Sequence, residues 1–211
     1  MNRAHRLLAL LGIVLLALAW SGLRPYDRLT WWMETLPVMI AAPLLFLTWR
    51  RFPLTGLLYV LIALHALVLI LGGAYTYARV PLGFTLADWL DLARNPYDRI
   101  GHLFQGFVPA LVAREVLLRG AFVRGRRMLA FLCVCIVLAI SASYELIEWA
   151  AALILGQGAD QFLGTQGDSW DTQWDMFCAL IGAVTALAGL SGLQDRQLAA
   201  LDAAAAAAES G

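Results

Sequence analysis

Six mostly apolar stretches punctuate the chain, at about 5–23, 31–49, 54–74, 99–118, 129–152 and 172–190. A hydrocarbon core about 30 Å thick takes roughly 20 apolar helical residues to cross. The pattern therefore predicts an all-α, polytopic membrane bundle of about six transmembrane helices. The second stretch is interrupted by Glu34, Pro37 and Pro43, and prolines are accommodated where neighbouring helices re-satisfy the freed backbone groups. In the first stretch Arg3 and Arg6 precede Ala17-Leu18-Ala19, the small-residue pattern of a signal-peptidase site. The apolar run continues through Trp20 to Leu23, which reads as a retained anchor.

Two connections are long. In residues 75–98, Thr85 and Asp88 have capping-box spacing with Asp in the place of Glu, followed by Trp89, Leu90 and Leu92. A short helix lying in the membrane interface is expected to start there. Residues 153–171 carry Gly156, Gly158, Gly164 and Gly167, and glycine permits tight or re-entrant backbone. The membrane domain is expected to fill residues 1–192, with an Ala-rich cytoplasmic tail at 193–211.

Arginine sets the expected orientation. Nine arginines, among them Arg50, Arg51, Arg124, Arg126 and Arg127, fall on one side of this topology, against five on the other (Arg24, Arg28, Arg79, Arg94 and Arg99). The richer side reads as cytoplasmic, with both termini there. Composition agrees with a lipid environment. The chain has 211 residues, 61% hydrophobic and 14% charged, where soluble domains carry about 25% charged residues. Soluble enzymes and disulfide-built secreted modules are excluded. All 15 basic residues are arginine and the net charge is zero. No basic tail or acidic block points to a nucleic-acid partner, and membrane lipids are the expected partners.

Ionisable side chains inside membrane segments are costly, so by default they mark function. Asp98, His102 and Gln105 are spaced i, i+4, i+7 on one helical stripe. Glu145 and Glu148 stand one turn apart on the fifth span, and Asp171 and Asp175 one turn apart on the sixth. All map to the outer third, with Asp168 and Arg99 at the loop edge and Tyr75 and Tyr77 just beyond the third span. Carboxylates so close must share protons, pair with Arg99 or hold a cation. A divalent metal accounts for the most residues, with Glu145, Glu148, Asp171, Asp175 and His102 as candidate ligands. His102, Asp98 and Glu148 are the candidate acid–base groups. His65, alone in mid-span, reads as a hydrogen-bonded packing histidine. Arg114 is expected to snorkel and Glu115 to pair with Arg119. Cys133, Cys135 and Cys178 form no disulfide or zinc framework.

The strings Gly72-Gly-Ala-Tyr-Thr-Tyr-Ala-Arg-Val-Pro81, Asn95-Pro-Tyr-Asp-Arg-Ile-Gly-His102, Tyr144-Glu-Leu-Ile-Glu-Trp149 and Phe162-Leu-Gly-Thr-Gln-Gly-Asp-Ser-Trp-Asp-Thr-Gln-Trp-Asp-Met176 resemble the YjdF family of bacterial inner-membrane proteins. That resemblance implies a multi-pass inner-membrane protein and supplies no reaction. Asp98-Arg99-Ile-Gly-His102, Glu145/Glu148 and Asp175 through Gly182 are more loosely similar to VanZ-like proteins. Arg99 stands where those carry lysine, and Ala179 where they carry asparagine.

Three functional readings follow. The first is metal-dependent binding or chemistry on a phospholipid or polyprenyl-phosphate headgroup at the outer leaflet. The second is a small-cation or proton-coupled transporter, which needs a polar path across the membrane. The third is a scaffold whose polar cluster only fixes helix packing, since interhelical hydrogen bonds are worth about 0.6 kcal/mol on average.

Overall fold

The computed structural model describes residues 3–156 and 165–209. Among them run seven helices and no strand: α1 (Arg3–Leu23), α2 (Arg28–Thr48), α3 (Gly56–Tyr75), α4 (Pro81–Leu90), α5 (Tyr97–Arg119), α6 (Arg126–Leu155) and α7 (Asp171–Glu209). Five of them, α1, α2, α3, α6 and α7, are long and apolar enough to cross a membrane. The remaining expected span, α5, has 23 residues, length enough to cross, but it carries Asp98, Arg99, Arg114, Glu115 and Arg119. It can sit at membrane depth only if its neighbours hide those groups.

They do. α5 packs chiefly along α7, with α6 and α3 on its other sides. Asp98, Arg114 and Glu115 are all buried. The α5–α7 contact is backbone against backbone. Gly106 faces the Ala179 carbonyl and Gly182 the Leu103 carbonyl, and a Cβ on either glycine would overlap those atoms. Small residues let membrane helices approach this closely. Ala110, Ala179 and Ala183 complete the seam, fully buried with Val137 of α6.

α1 and α2 form a second tier on α3. Val14, Val38, Ala66 and Ile70 meet there, and Trp31 Nε1 donates to Ser21 Oγ at 2.9 Å. The other faces are lipid-facing: Leu16, Leu23 and Leu47 are largely exposed. Pro37 and Pro43 lie inside α2 without ending it. Asp27 caps α2, accepting from the Thr30 N–H at 2.7 Å, and this bond holds the Asp27 carboxyl below its ordinary value.

Two expectations change. The short helix expected between the third and fourth spans starts at Pro81, not Thr85. Proline in the first turn has no N–H to leave unsatisfied, and Thr85 lies inside the helix with Oγ1 bonded to the Pro81 carbonyl. The boundary expected at residue 192 falls within α7, which runs on unbroken. Gln194 is fully buried, so the first turns of the expected tail belong to the core.

Gly106→Ala should open the α5–α7 seam and cost about 1–3 kcal/mol or more, read as a lower Tm in detergent. Gly12→Ala, with open space around it, should not lower Tm, because alanine is the better helix former. Asp27→Ala should cost about 1 kcal/mol at neutral pH. Because the folded carboxyl is the stronger acid, that difference should shrink as pH falls through its lowered pKa.

Candidate functional site

The site begins in the turn before α5. Asn95, buried, donates to the Val80 carbonyl at 3.0 Å and accepts from the Tyr97 N–H at 3.0 Å. Its backbone is tied to the Gln166 amide in both directions, Asn95 N–H to Oε1 at 3.1 Å and Nε2 to the Asn95 carbonyl at 3.0 Å. This staple joins the two long connections and sets the helical phase from which Asp98 and His102 project on one stripe.

The His102 imidazole lies at the centre. Its Nε2 faces Asp98 Oδ1 at 3.7 Å and Asp175 Oδ2 at 3.9 Å. Its Nδ1 lies 3.1 Å from Gln105 Oε1 and 3.9 Å from Glu145 Oε1. With Nδ1–H donated to the Gln105 oxygen, Nε2 turns a lone pair toward the two aspartates. Asp98, His102 and Asp175 each offer a donor atom within 4.8 Å of the others. All three are buried, as is Glu145. Glu145 Oε1 and Asp175 Oδ1 are buried without a hydrogen-bond partner among the described residues. Buried oxygens left so are costly.

The other expected residues take different places. Arg94 holds Asp171 at 2.5 Å and Asp168 at 3.3 Å. Arg99 holds Asp168 at 3.0 Å and lies over the Trp174 ring at 5.1 Å. Asp171, Asp168 and Arg99 thus form a charge-compensated strap over the centre, and Asp171 spends a carboxylate oxygen on Arg94. Glu148 lies half-buried one turn beyond Glu145, outside the three-residue group. Tyr75 packs among Tyr77, Val80 and Tyr97 and does not join the carboxylates.

Glu34 interrupts the apolar run of its span. It is buried, accepts from Tyr144 Oη at 2.7 Å, and stands near enough to Asp98 and Glu148 to interact with both. Tyr144 also sets its ring edge-on to His102, centroids 6.3 Å apart. Tyr77 reaches Glu34 as well. Burial, then the negative field of Glu34 and Asp98, raises the Tyr77 phenol well above its ordinary value, so it remains a donor. The rule that singled out the other intramembrane acids applies equally to Glu34.

A second polar layer lies at the opposite, arginine-rich end, and it is compensated. Glu115 accepts from the Thr55 N–H at 3.0 Å and from Thr55 Oγ1 at 2.9 Å. Gln194 donates to the Leu111 carbonyl at 2.9 Å. Arg114 donates to Gln194 Oε1 at 3.0 Å and Asp195 Oδ1 at 2.6 Å, so it stays inside the bundle and does not snorkel. Glu115 also pairs with Arg119 at 3.4 Å. Between the two polar layers, Val108, Ala110 and Leu111 fill the middle of α5. His65 differs from expectation too: its buried Nε2 has no hydrogen-bond partner among the described residues, and the ring packs beside Phe104 at 6.2 Å.

A polar α5 enclosed by apolar helices, with acids and a histidine gathered at one end, defines a multi-pass integral membrane protein with a buried ionisable centre. Residues 6–196 match the family described as "Predicted membrane protein (DUF2238)", and the chain belongs to that family. It is 63% identical to "Inner membrane protein YjdF" of Escherichia coli (strain K12) over 183 residues, 87% of this chain and 88% of the relative. No solved structure matches. The protein is a multi-pass protein of the bacterial inner membrane.

Arg94→Gln should leave Asp171 buried and unpaired and destabilise the protein by about 3–5 kcal/mol. Adding Asp171→Asn should recover most of that loss, a coupling measurable as a double-mutant cycle of thermal unfolding.

Proposed function

We propose that the centre holds a divalent cation on Asp98, His102 and Asp175 and uses it to bind and polarise the phosphate of a lipid or polyprenyl-phosphate headgroup. The observation that carries this reading is the set of three buried donors within 4.8 Å of one another. The nearby arginine charge goes elsewhere: Arg94 and Arg99 pair with Asp168 and Asp171. Buried carboxylates need a compensating charge, and a cation supplies one. A mixed carboxylate–imidazole set favours Zn²⁺ or Mn²⁺ over Mg²⁺. Without the cation these carboxylates would repel a phosphate; with it, a phosphoryl oxygen has a Lewis acid to approach.

In this reading Gln105 orients the imidazole through Nδ1, the support a metal-bound histidine usually has. Glu145 Oε1, unpartnered beside the ring, is the proton acceptor. Acid–base work then falls to Glu145, and not to the His102, Asp98 and Glu148 expected from the sequence. Transport is the weaker reading, because the apolar middle of α5 separates the two polar layers.

Elemental mass spectrometry of the detergent-purified protein is the test. About one Zn²⁺ or Mn²⁺ per chain is expected, falling at least tenfold in Asp175→Asn and His102→Ala, since even the loss of a ligand's supporting hydrogen bond typically costs about 10–100-fold in affinity. Chelation should lower the Tm of the wild type and leave both variants unmoved. Metal-free protein after supplementation, with a Tm indifferent to chelation, overturns the proposal.

A further inference from the structure

We infer that the arginine-rich end of the bundle binds one anionic phospholipid, its phosphate against Arg6 and Arg3 and an acyl chain laid between α1, α2 and α3. This site lies at the far end of the molecule from the acidic centre and is independent of it. α1 and α2 both pack on α3 but barely on each other. The gap between them is a cavity of about 230 Å³ walled by apolar side chains such as Leu11, Val38, Ala42, Ala63 and Leu69. At membrane depth such a slot is filled by hydrocarbon, because its wall is apolar apart from His65 and Tyr59 and apolar surface favours hydrocarbon over water.

Beside the slot lies a second cavity of about 610 Å³, bounded by the starts of α1 and α3 and the far part of α7. Leu7, Leu10 and Tyr59 line both spaces, so they share a wall. The polar lining of the second cavity is Arg3, Arg6, Thr55 and Gln197, with Tyr59 at the shared wall, and no carboxylate lines either space among the described residues. Arg3 spends one Nη2 donor on the Leu54 carbonyl, at 2.6 Å, and a guanidinium has four more. Gln197 Oε1 takes the Leu57 N–H at 2.9 Å, which leaves its amide hydrogens free to donate. Arg50 adds a third positive charge at this end, lying 5.2 Å over the ring of Trp49, itself part of the slot wall.

An apolar slot beside a cationic, donor-rich vestibule matches the division of a phospholipid into chain and phosphate. Arginine forks match phosphate oxygens. The unbalanced positive charge selects an anionic headgroup over one that carries its own ammonium.

Native mass spectrometry of the full-length protein in mild detergent decides the matter, with dioleoyl phosphatidylglycerol or dioleoyl phosphatidylcholine added. One phosphatidylglycerol should be retained per chain in preference to phosphatidylcholine. Arg6→Gln, on an exposed side chain, should weaken retention about fivefold, the effect of one arginine at a lipid phosphate. Ala42→Phe should fill the slot and abolish one-to-one retention, and Ala42→Leu should weaken it should the larger side chain prevent folding. Equal retention of the two lipids overturns the inference. So does phosphatidylglycerol binding that both the arginine and the slot variants leave unchanged.

Discussion

The structure depends on hiding one helix from lipid. α5 carries five charged residues, three of them buried in the bundle, and an ionised side chain at the bilayer centre costs at least about 2.5–3.5 kcal/mol. No arrangement of this chain in a bilayer can leave α5 at the periphery. The bundle encloses it, and the closest contact is made where side chains are smallest. Gly106 and Gly182 let α5 and α7 meet at the backbone, which shuts out lipid along that seam. The apolar outer helices can then face hydrocarbon on most of their surface.

With α5 enclosed, its two ends behave differently. At the arginine-rich end, Glu115 and Arg114 find hydrogen-bond partners from α3 and α7, and the layer works as a structural clasp. At the acidic end, Arg94 and Arg99 neutralise only the outer aspartates. Asp98, Asp175 and Glu145 are left around one imidazole, with an oxygen of Glu145 and one of Asp175 unpaired among the described residues. Folding alone gives no reason to keep such a centre, because an under-satisfied polar core is less stable than an apolar one. Local rules are broken in this way at sites kept for function.

The second tier has its own logic. α1 and α2 touch the rest of the protein mainly through α3, and in a bilayer a loose helix pair has no aqueous driving force to close the gap between them. That gap and the arginines beside it belong to the same end of the molecule as the clasp. The chain thereby keeps its acidic centre and its cationic vestibule at opposite ends, separated by the apolar middle of α5.

Membrane residence, helix content and the chemistry-bearing residues were legible in the amino-acid order, because hydropathy and helical spacing are local properties. Asp98 and His102 stand one turn apart on any helix that contains them. Partnership was not legible. Nothing local says that Arg94 would take Asp171 away from the acidic centre, or that Arg114 would turn inward to Gln194 and Asp195. Nor does it say that Glu34, 64 positions before Asp98 in the chain, would arrive beside it through Tyr144 and α6. The start of α4 was misplaced because a capping pattern at Thr85 competed with Pro81, whose missing N–H suits a first turn. Hydropathy along the chain settled that these residues live in lipid. Only the packing of helices distant in sequence decided which charges are neutralised and which remain, because Coulomb and hydrogen-bond energies depend on distances in space.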